Sequence, residues 1–224
     1  MDTPAGRAQG DPFATLYGEG CRSINRRAAL AGLSALALCG ATRPERTLRW
    51  RGRAHVEVAG RSLDLVVDMT LTLPLLRVCS TSFIADQGPA TARTLILGPD
   101  GAFVERAGTR QPLDPTVAIH ERQQYALYAW LYLVQQRPRT RLGPLPLSAP
   151  PYPDIVFTIG PDGFPTAADL TVDAPEPGKP RIAEHASFTG RLDSNGIRFP
   201  GQLDLTQEGR PYFRLTIDHF EASR

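Results

Sequence analysis

Residues 49–73 read RWRGRAHVEVAGRSLDLVVDMTLTL, and their alternation decides the fold. Trp50, Gly52, Ala54, Val56 and Val58 share one parity; Arg49, Arg51, Arg53, His55 and Glu57 share the other. After Ala59-Gly60-Arg61-Ser62, the residues Leu63, Leu65, Val67, Met69, Leu71 and Leu73 alternate with Asp64, Val66, Asp68, Thr70 and Thr72. Successive side chains of a strand point to opposite faces, so a period of two predicts strands with one buried and one wet face. A glycine turn between two such runs predicts a long antiparallel hairpin, which Pro74 ends. Across it, Arg49, Arg51 and Arg53 can meet Asp64 and Asp68 on the wet side.

The same signals recur outward from this hairpin. Strands are expected at 76–85, 93–98, 102–107, 154–160, 167–173, 182–192, 196–207 and 211–220. Gly98-Pro99-Asp100-Gly101 and Gly160-Pro161-Asp162-Gly163 are tight turns, because proline sets φ, aspartate bonds its own backbone and glycine takes positive φ. Asp193-Ser194-Asn195-Gly196 is a hairpin turn as well. In the last strand Phe213, Leu215 and Ile217 are expected inside, with Tyr212, Arg214, Thr216 and Asp218 outside.

Residues 115–135 break the pattern. Asp114 can cap a helix and Pro115 suits its first position. Tyr125, Tyr128 and Tyr132 recur at helical spacing, with Leu127, Trp130, Leu131 and Val134 around them. The apolar residues wrap beyond a narrow stripe, so this helix should be largely enclosed. The run RPRTRLGPLPLSAPPYP at 137–153 carries too many prolines for a helix or a central strand and reads as a long surface loop. The expected fold is mainly β: a curved antiparallel sheet or unclosed half-barrel of about ten strands wrapped on one long helix.

The N-terminus reads as an export signal over residues 1–41, leaving 42–224 as a single β domain. Arg26 and Arg27 precede an apolar run from Ala28 to Leu38, about 11 residues long and too short to span a bilayer. Cys39-Gly40-Ala41 supplies small residues for a peptidase. The arginine pair is similar to a twin-arginine leader, with Asn25 and Ala29 departing from that motif. A general secretory signal is the alternative, and a lipoprotein signal ending at Cys39 is a third. Of three cysteines, the mature chain keeps Cys79 alone, expected as a small apolar strand thiol, so no internal disulfide forms.

With 25 Lys and Arg against 23 Asp and Glu, net charge +2 and no basic stripe, nucleic acid is an unsuitable partner. No phosphate loop, nucleophile elbow or dinucleotide fingerprint is present, so no cofactor and no catalytic residue is expected. His120-Glu121 lacks the second histidine of a zinc helix. His55, His185 and His219 sit in separate strands, which suits wet-face positions better than a metal site.

What remains is an imbalance. The strands offer long apolar faces, and one helix is available to cover them. Either the sheet fills its own interior, or it curves and leaves a cavity lined by Leu65, Val67, Met69, Tyr128 and Leu131.

A long sheet curling round a mid-chain helix behind an export signal resembles the LolA/LolB lipoprotein-carrier superfamily. The residues that carry the resemblance are Trp50-x-Gly52-x-Ala54, the helix, and the tail Gly196-Ile197-Arg198-Phe199-Pro200, Glu208-Gly209-Arg210-Pro211 and Leu215-Thr216-Ile217. The resemblance implies a periplasmic, non-enzymatic protein of a Gram-negative envelope. It would bind a lipid or lipoprotein acyl chain in the half-barrel, with an envelope protein as partner and no transmembrane span in the mature chain. A structural or adaptor protein with a filled core is the alternative.

Overall fold

The computed structural model describes residues 45–58, 60–136, 142–148 and 152–223. The leader at 1–41, with Arg26, Arg27 and Cys39, lies outside the described residues. Among the described residues, twelve strands form one antiparallel sheet that is curved and not closed, with a single α-helix against it. In chain order the strands are β1 (Arg46–Val58), β2 (Arg61–Leu73), β3 (Arg77–Ile84), β4 (Arg93–Gly98), β5 (Gly101–Arg106) and β6 (Thr109–Pro112). Then come helix α1 (Pro115–Gln135), β7 (Gly143–Leu147), β8 (Ile155–Ile159), β9 (Pro165–Val172) and β10 (Ile182–Thr189). A small hairpin of β11 (Leu192–Ser194) and β12 (Ile197–Phe199) precedes β13 (Gln202–Gln207) and β14 (Arg210–Ala222).

The strand order β6-β5-β4-β3-β2-β1-β14-β13-β10-β9-β8-β7 consists of two meanders joined where the first strand meets the last. Helix α1 connects β6 to β7, which are the two free edges. At 1.5 Å per residue it is about 31 Å long, against about 53 Å for eleven strand spacings along the sheet. A curved sheet brings its edges toward the ends of such a helix.

The expected hairpin pairs Trp50 with Met69, Gly52 with Val67 and Ala54 with Leu65. Four elements depart from the expectation. A short strand, β6, follows β5 across the turn Ala107-Gly108. The proline-rich segment, expected as loop, contains β7. It sits at the sheet edge, where prolines are tolerated. Pro144 and Pro146 share one parity of β7, so the ladder with β8 falls to Gly143, Leu145 and Leu147, and the free edge loses two donors. The expected strands 182–192 and 196–207 each break, at Gly190 and at Pro200-Gly201, and the pieces between form the β11–β12 hairpin.

That hairpin is a second cover for the concave face, where one was expected. Phe199 is fully buried, 4.9 Å between ring centroids from Trp50 and 4.7 Å from Phe220. Ser194 and Asn195 fasten the hairpin to the end of β14 through the backbone N–H and carbonyl of Ala222.

Helix α1 begins as expected: Asp114 Oδ1 accepts from the Thr116 N–H at 2.9 Å, with Pro115 in the first position. Every residue from Ala126 to Tyr132 is buried, as the wrapped apolar pattern predicts. Two glutamines tie the helix down by pairing with backbone. The Gln123 side chain accepts from the Asp173 N–H at 2.6 Å, while its amide donates to the Asp173 carboxylate at 3.0 Å. The Gln135 side chain accepts from the Arg198 N–H at 2.9 Å and donates to the Arg198 carbonyl at 2.8 Å. Among the described residues, no helix is long and apolar enough to cross a membrane.

Candidate functional site

The concave side of β14, β1, β2, β3 and β4 and the facing side of α1 line a partly open cavity of about 120 Å³. Its walls come from strand parity. Phe213 and Leu215 come from β14, Trp50 and Val56 from β1, and Leu63, Leu65, Val67 and Met69 from β2. Next follow Ser80 and Ser82 from β3, then Arg93 and Leu95 from β4; Tyr125 and Tyr128 close it from the helix. The lining is therefore graded. Three strands contribute only apolar side chains, and the hydroxyls and the one guanidinium stand at the β3–β4 end.

Of the residues picked from sequence, Leu65, Val67, Met69 and Tyr128 border this space. Leu131 is fully buried and lies outside its lining. The sequence reading passed over Arg93, Ser80 and Ser82, although parity carried the signal. Arg93 shares a face with Leu95 and Leu97, and Ser80 and Ser82 share one with Val78 and Ile84. An arginine on an apolar strand face must be buried or must end the face, and here it is 7% exposed.

Register explains the neighbourhood of Arg93. Val67 pairs with Ser82, Ser82 with Arg93, and Arg93 with Arg106, so four strands bring these residues onto one rung. Paired side chains on such a rung stand about 5 Å apart at Cβ. Helix α1 adds Glu121 and Tyr125. Burial is the first cause that pushes the Tyr125 hydroxyl up to about 12, and Glu121 acts in the same direction. Hydrogen bonding with Ser80 and the charge of Arg93 oppose it. That hydroxyl stays protonated at neutral pH. Glu184 on β10, 3% exposed, accepts from the amides of Gln124 at 2.6 Å and Gln207 at 2.9 Å.

Tyr212 was expected on the wet face and faces the other way. Leu205 pairs with Phe213 and Thr206 with Pro211, so Tyr212 is the extra residue of a bulge. The bulge turns its ring toward Glu121, Glu184 and Tyr125, and burial raises its pKa first of all.

The outer face carries exposed charge pairs. Arg51 meets Asp68 at 2.6 Å, and His55 lies between Asp64 at 2.8 Å and Glu57 at 3.0 Å. Exposed pairs of this kind contribute little to stability, because water screens them. His185 meets Asp169 and His219 meets Glu221, each on its own stretch of surface, while His120 is buried with its Nδ1 2.7 Å from the Asp173 carbonyl oxygen. Among the described residues, no group of three His, Cys, Asp or Glu could hold a metal ion. Cys79, expected as a packed thiol, is exposed, because its parity on β3 is the outer one.

No family model matches the chain, and no curated protein matches it. Several solved structures are similar to it, three of them as follows. One is a putative outer membrane lipoprotein-sorting protein domain from Vibrio parahaemolyticus, with 6% identity, TM-score 0.47, and coverage of 78% of this chain and 84% of that one. Another is a DUF1329 family protein from Desulfovibrio piger, with 7% identity, TM-score 0.45, and coverage of 79% and 85%. A third is a LolA superfamily protein from Nitrosomonas europaea, with 7% identity, TM-score 0.43, and coverage of 80% and 86%.

Proposed function

We propose that this protein binds an apolar ligand, a lipid or a lipoprotein acyl chain, without catalysis, in the cavity between the concave sheet and α1. The observation that supports this reading is the cavity itself. Protein interiors are close-packed, and voids above the size of a water molecule are few. This one has nine apolar residues and two tyrosines in its walls, with Trp50, Met69 and Leu215 almost wholly buried. An apolar cavity of about 150 Å³ accepts benzene, so a space of about 120 Å³ is of the size for the last few carbons of an acyl chain. A longer chain would continue past Leu63, Val67 and Phe213, which are half-buried. Each methylene transferred from water contributes about 0.8 kcal/mol. Read with the leader at 1–41, the binding takes place in the periplasm, and an envelope protein would deliver or accept the cargo.

One observation favours the adaptor reading. Trp50, Tyr128, Phe199 and Phe220 occupy the concavity as a cluster of rings in contact, tilted around Trp50 and stacked between Phe199 and Phe220. The neutral fluorophore phenylnaphthylamine separates the two. Binding at micromolar concentration, about −8 kcal/mol, is expected of the wild type. Val67→Phe should abolish it by filling the space while keeping the thermal midpoint. A wild-type protein that binds no apolar probe would leave the filled-core adaptor as the function.

A further inference from the structure

The lining of the cavity runs along the strands. It includes Trp50 and Val56 on β1 and Leu63, Leu65, Val67 and Met69 on β2. Trp50 pairs with Met69 and Val56 with Leu63, so these two pairs mark its ends. At about 3.3 Å per residue the lining extends about 20 Å. A volume of about 120 Å³ drawn out along it leaves the width of one hydrocarbon chain.

The two ends differ. Trp50 and Met69 are 2% and 1% exposed. The rings of Phe199 and Tyr128 stand against Trp50, with centroids at 4.9 and 5.0 Å. Leu71, the next inward residue of β2 past Met69, is wholly buried. This end is blind. At the other end Leu63 and Phe213 are half-buried, and Arg61 and Ser62 beyond Leu63 are exposed.

We infer that the cavity takes one unbranched alkyl chain at a time, terminal methyl first, with the methyl against Trp50 and the polar head in water beyond Leu63. This rests on the apolar-binding reading above and adds the ligand's shape, chain number and direction.

Solvation sets the direction. A polar head pushed to the blind end would lose its water, whereas each methylene moved inward is a gain. The polar side chains on the β3–β4 side do not reverse this. Ser80 hydrogen-bonds with Tyr125, and Arg93 interacts within the protein, so neither asks the ligand for a polar partner. Packing sets the shape. A branch point at the leading end would have to displace fully buried neighbours of Trp50 and Met69, and close-packed interiors resist added volume. A branched or ring-bearing molecule therefore reaches only the half-open end at Leu63 and Phe213.

Bromine quenches tryptophan fluorescence on contact, and Trp50 sits at the blind end. Trp130→Phe leaves Trp50 as the only tryptophan. It removes no hydrogen bond, because Nε1 of Trp130 has no partner among the described residues. Decanol brominated on its last carbon should quench most of the emission of this variant at saturation. Decanol brominated beside the hydroxyl carbon should bind equally well by calorimetry and quench little. Equal quenching by the two, or stronger quenching by the second, would overturn the direction. If Trp130→Phe does not fold, calorimetry on wild type with decanol and its isomer ending in a tert-butyl group tests the shape. Decanol should bind at least about tenfold tighter, the scale of a misfitted methyl group in an apolar pocket. Equal affinities would overturn the one-chain slot and leave apolar binding standing. If wild type bound no alcohol and no apolar fluorophore, the apolar-binding reading would fail, and this inference with it.

Discussion

Gly52 lies directly against the backbone carbonyl of Thr216, so that a Cβ on residue 52 would run into that oxygen. The contact sits at the seam between the first and last strands. There Arg51 pairs with His219 and Gly52 with Ile217, leaving Asp218 as an extra residue. The bulge reverses the parity of β14. Leu215 and Ile217 face the core before it, and Phe220 and Ala222 face the core after it. A glycine opposite the bulge lets the two backbones approach.

Gly52→Ala should therefore destabilise strongly, by at least about 3 kcal/mol, since neither backbone can give way without breaking the seam. Gly60→Ala is the comparison: its φ of +75° penalises a side chain, but nothing lies within 4 Å, so a loss of about 1–2 kcal/mol is expected. Urea unfolding of both variants measures the contrast. Equal losses would mean that the Thr216 contact carries no special weight.

The β11–β12 hairpin is expected to hold the sheet's concave side as firmly as the helix does. Phe199→Ala removes a fully buried ring between Trp50 and Phe220 and should cost about 3–5 kcal/mol. A midpoint close to wild type in denaturant would make the hairpin an ornament on the fold.

His55 should give a pH-dependent contribution on the outer face. Hydrogen bonding to Asp64 first, and then to Glu57, raises its pKa above the ordinary histidine value. A raised folded-state pKa stabilises the protein fully below the unfolded value, about 6.5, and the gain is lost as pH rises through the folded value. The stability difference between wild type and His55→Gln should then be larger near pH 5.5 than near pH 8.5. Its size is limited by solvent screening, because the pair is exposed. A difference that stays constant, or grows with pH, would contradict this.

Much of the architecture is legible in the chain because it is local. Alternation in Arg49–Leu73 assigns Trp50, Ala54, Leu65 and Met69 to the inside without knowledge of any partner strand, since the side-chain period of a strand is two wherever the strand lies. Asp114-Pro115 starts the helix, and its wrapped apolar pattern foretells its enclosure. The glycine turns mark where the chain reverses.

Tertiary structure decided whatever depends on residues far apart in sequence. The pairing of β14 with β13 on one side and β1 on the other creates its two bulges; the first turned Tyr212 inward against its apparent parity, and the second brought Phe220 to the core. No local pattern announces such a register shift, because it answers to Gly52 and Leu205 on other strands. The β11–β12 hairpin looked like continuous strand until Pro200-Gly201 and Gly190 let it fold over the sheet. The polar end of the cavity followed the same division. Parity alone puts Arg93 on the face of Leu95, yet only the register of β2, β3, β4 and β5 sets Val67, Ser82, Arg93 and Arg106 side by side. A rung is a property of paired strands, and a single strand does not carry it.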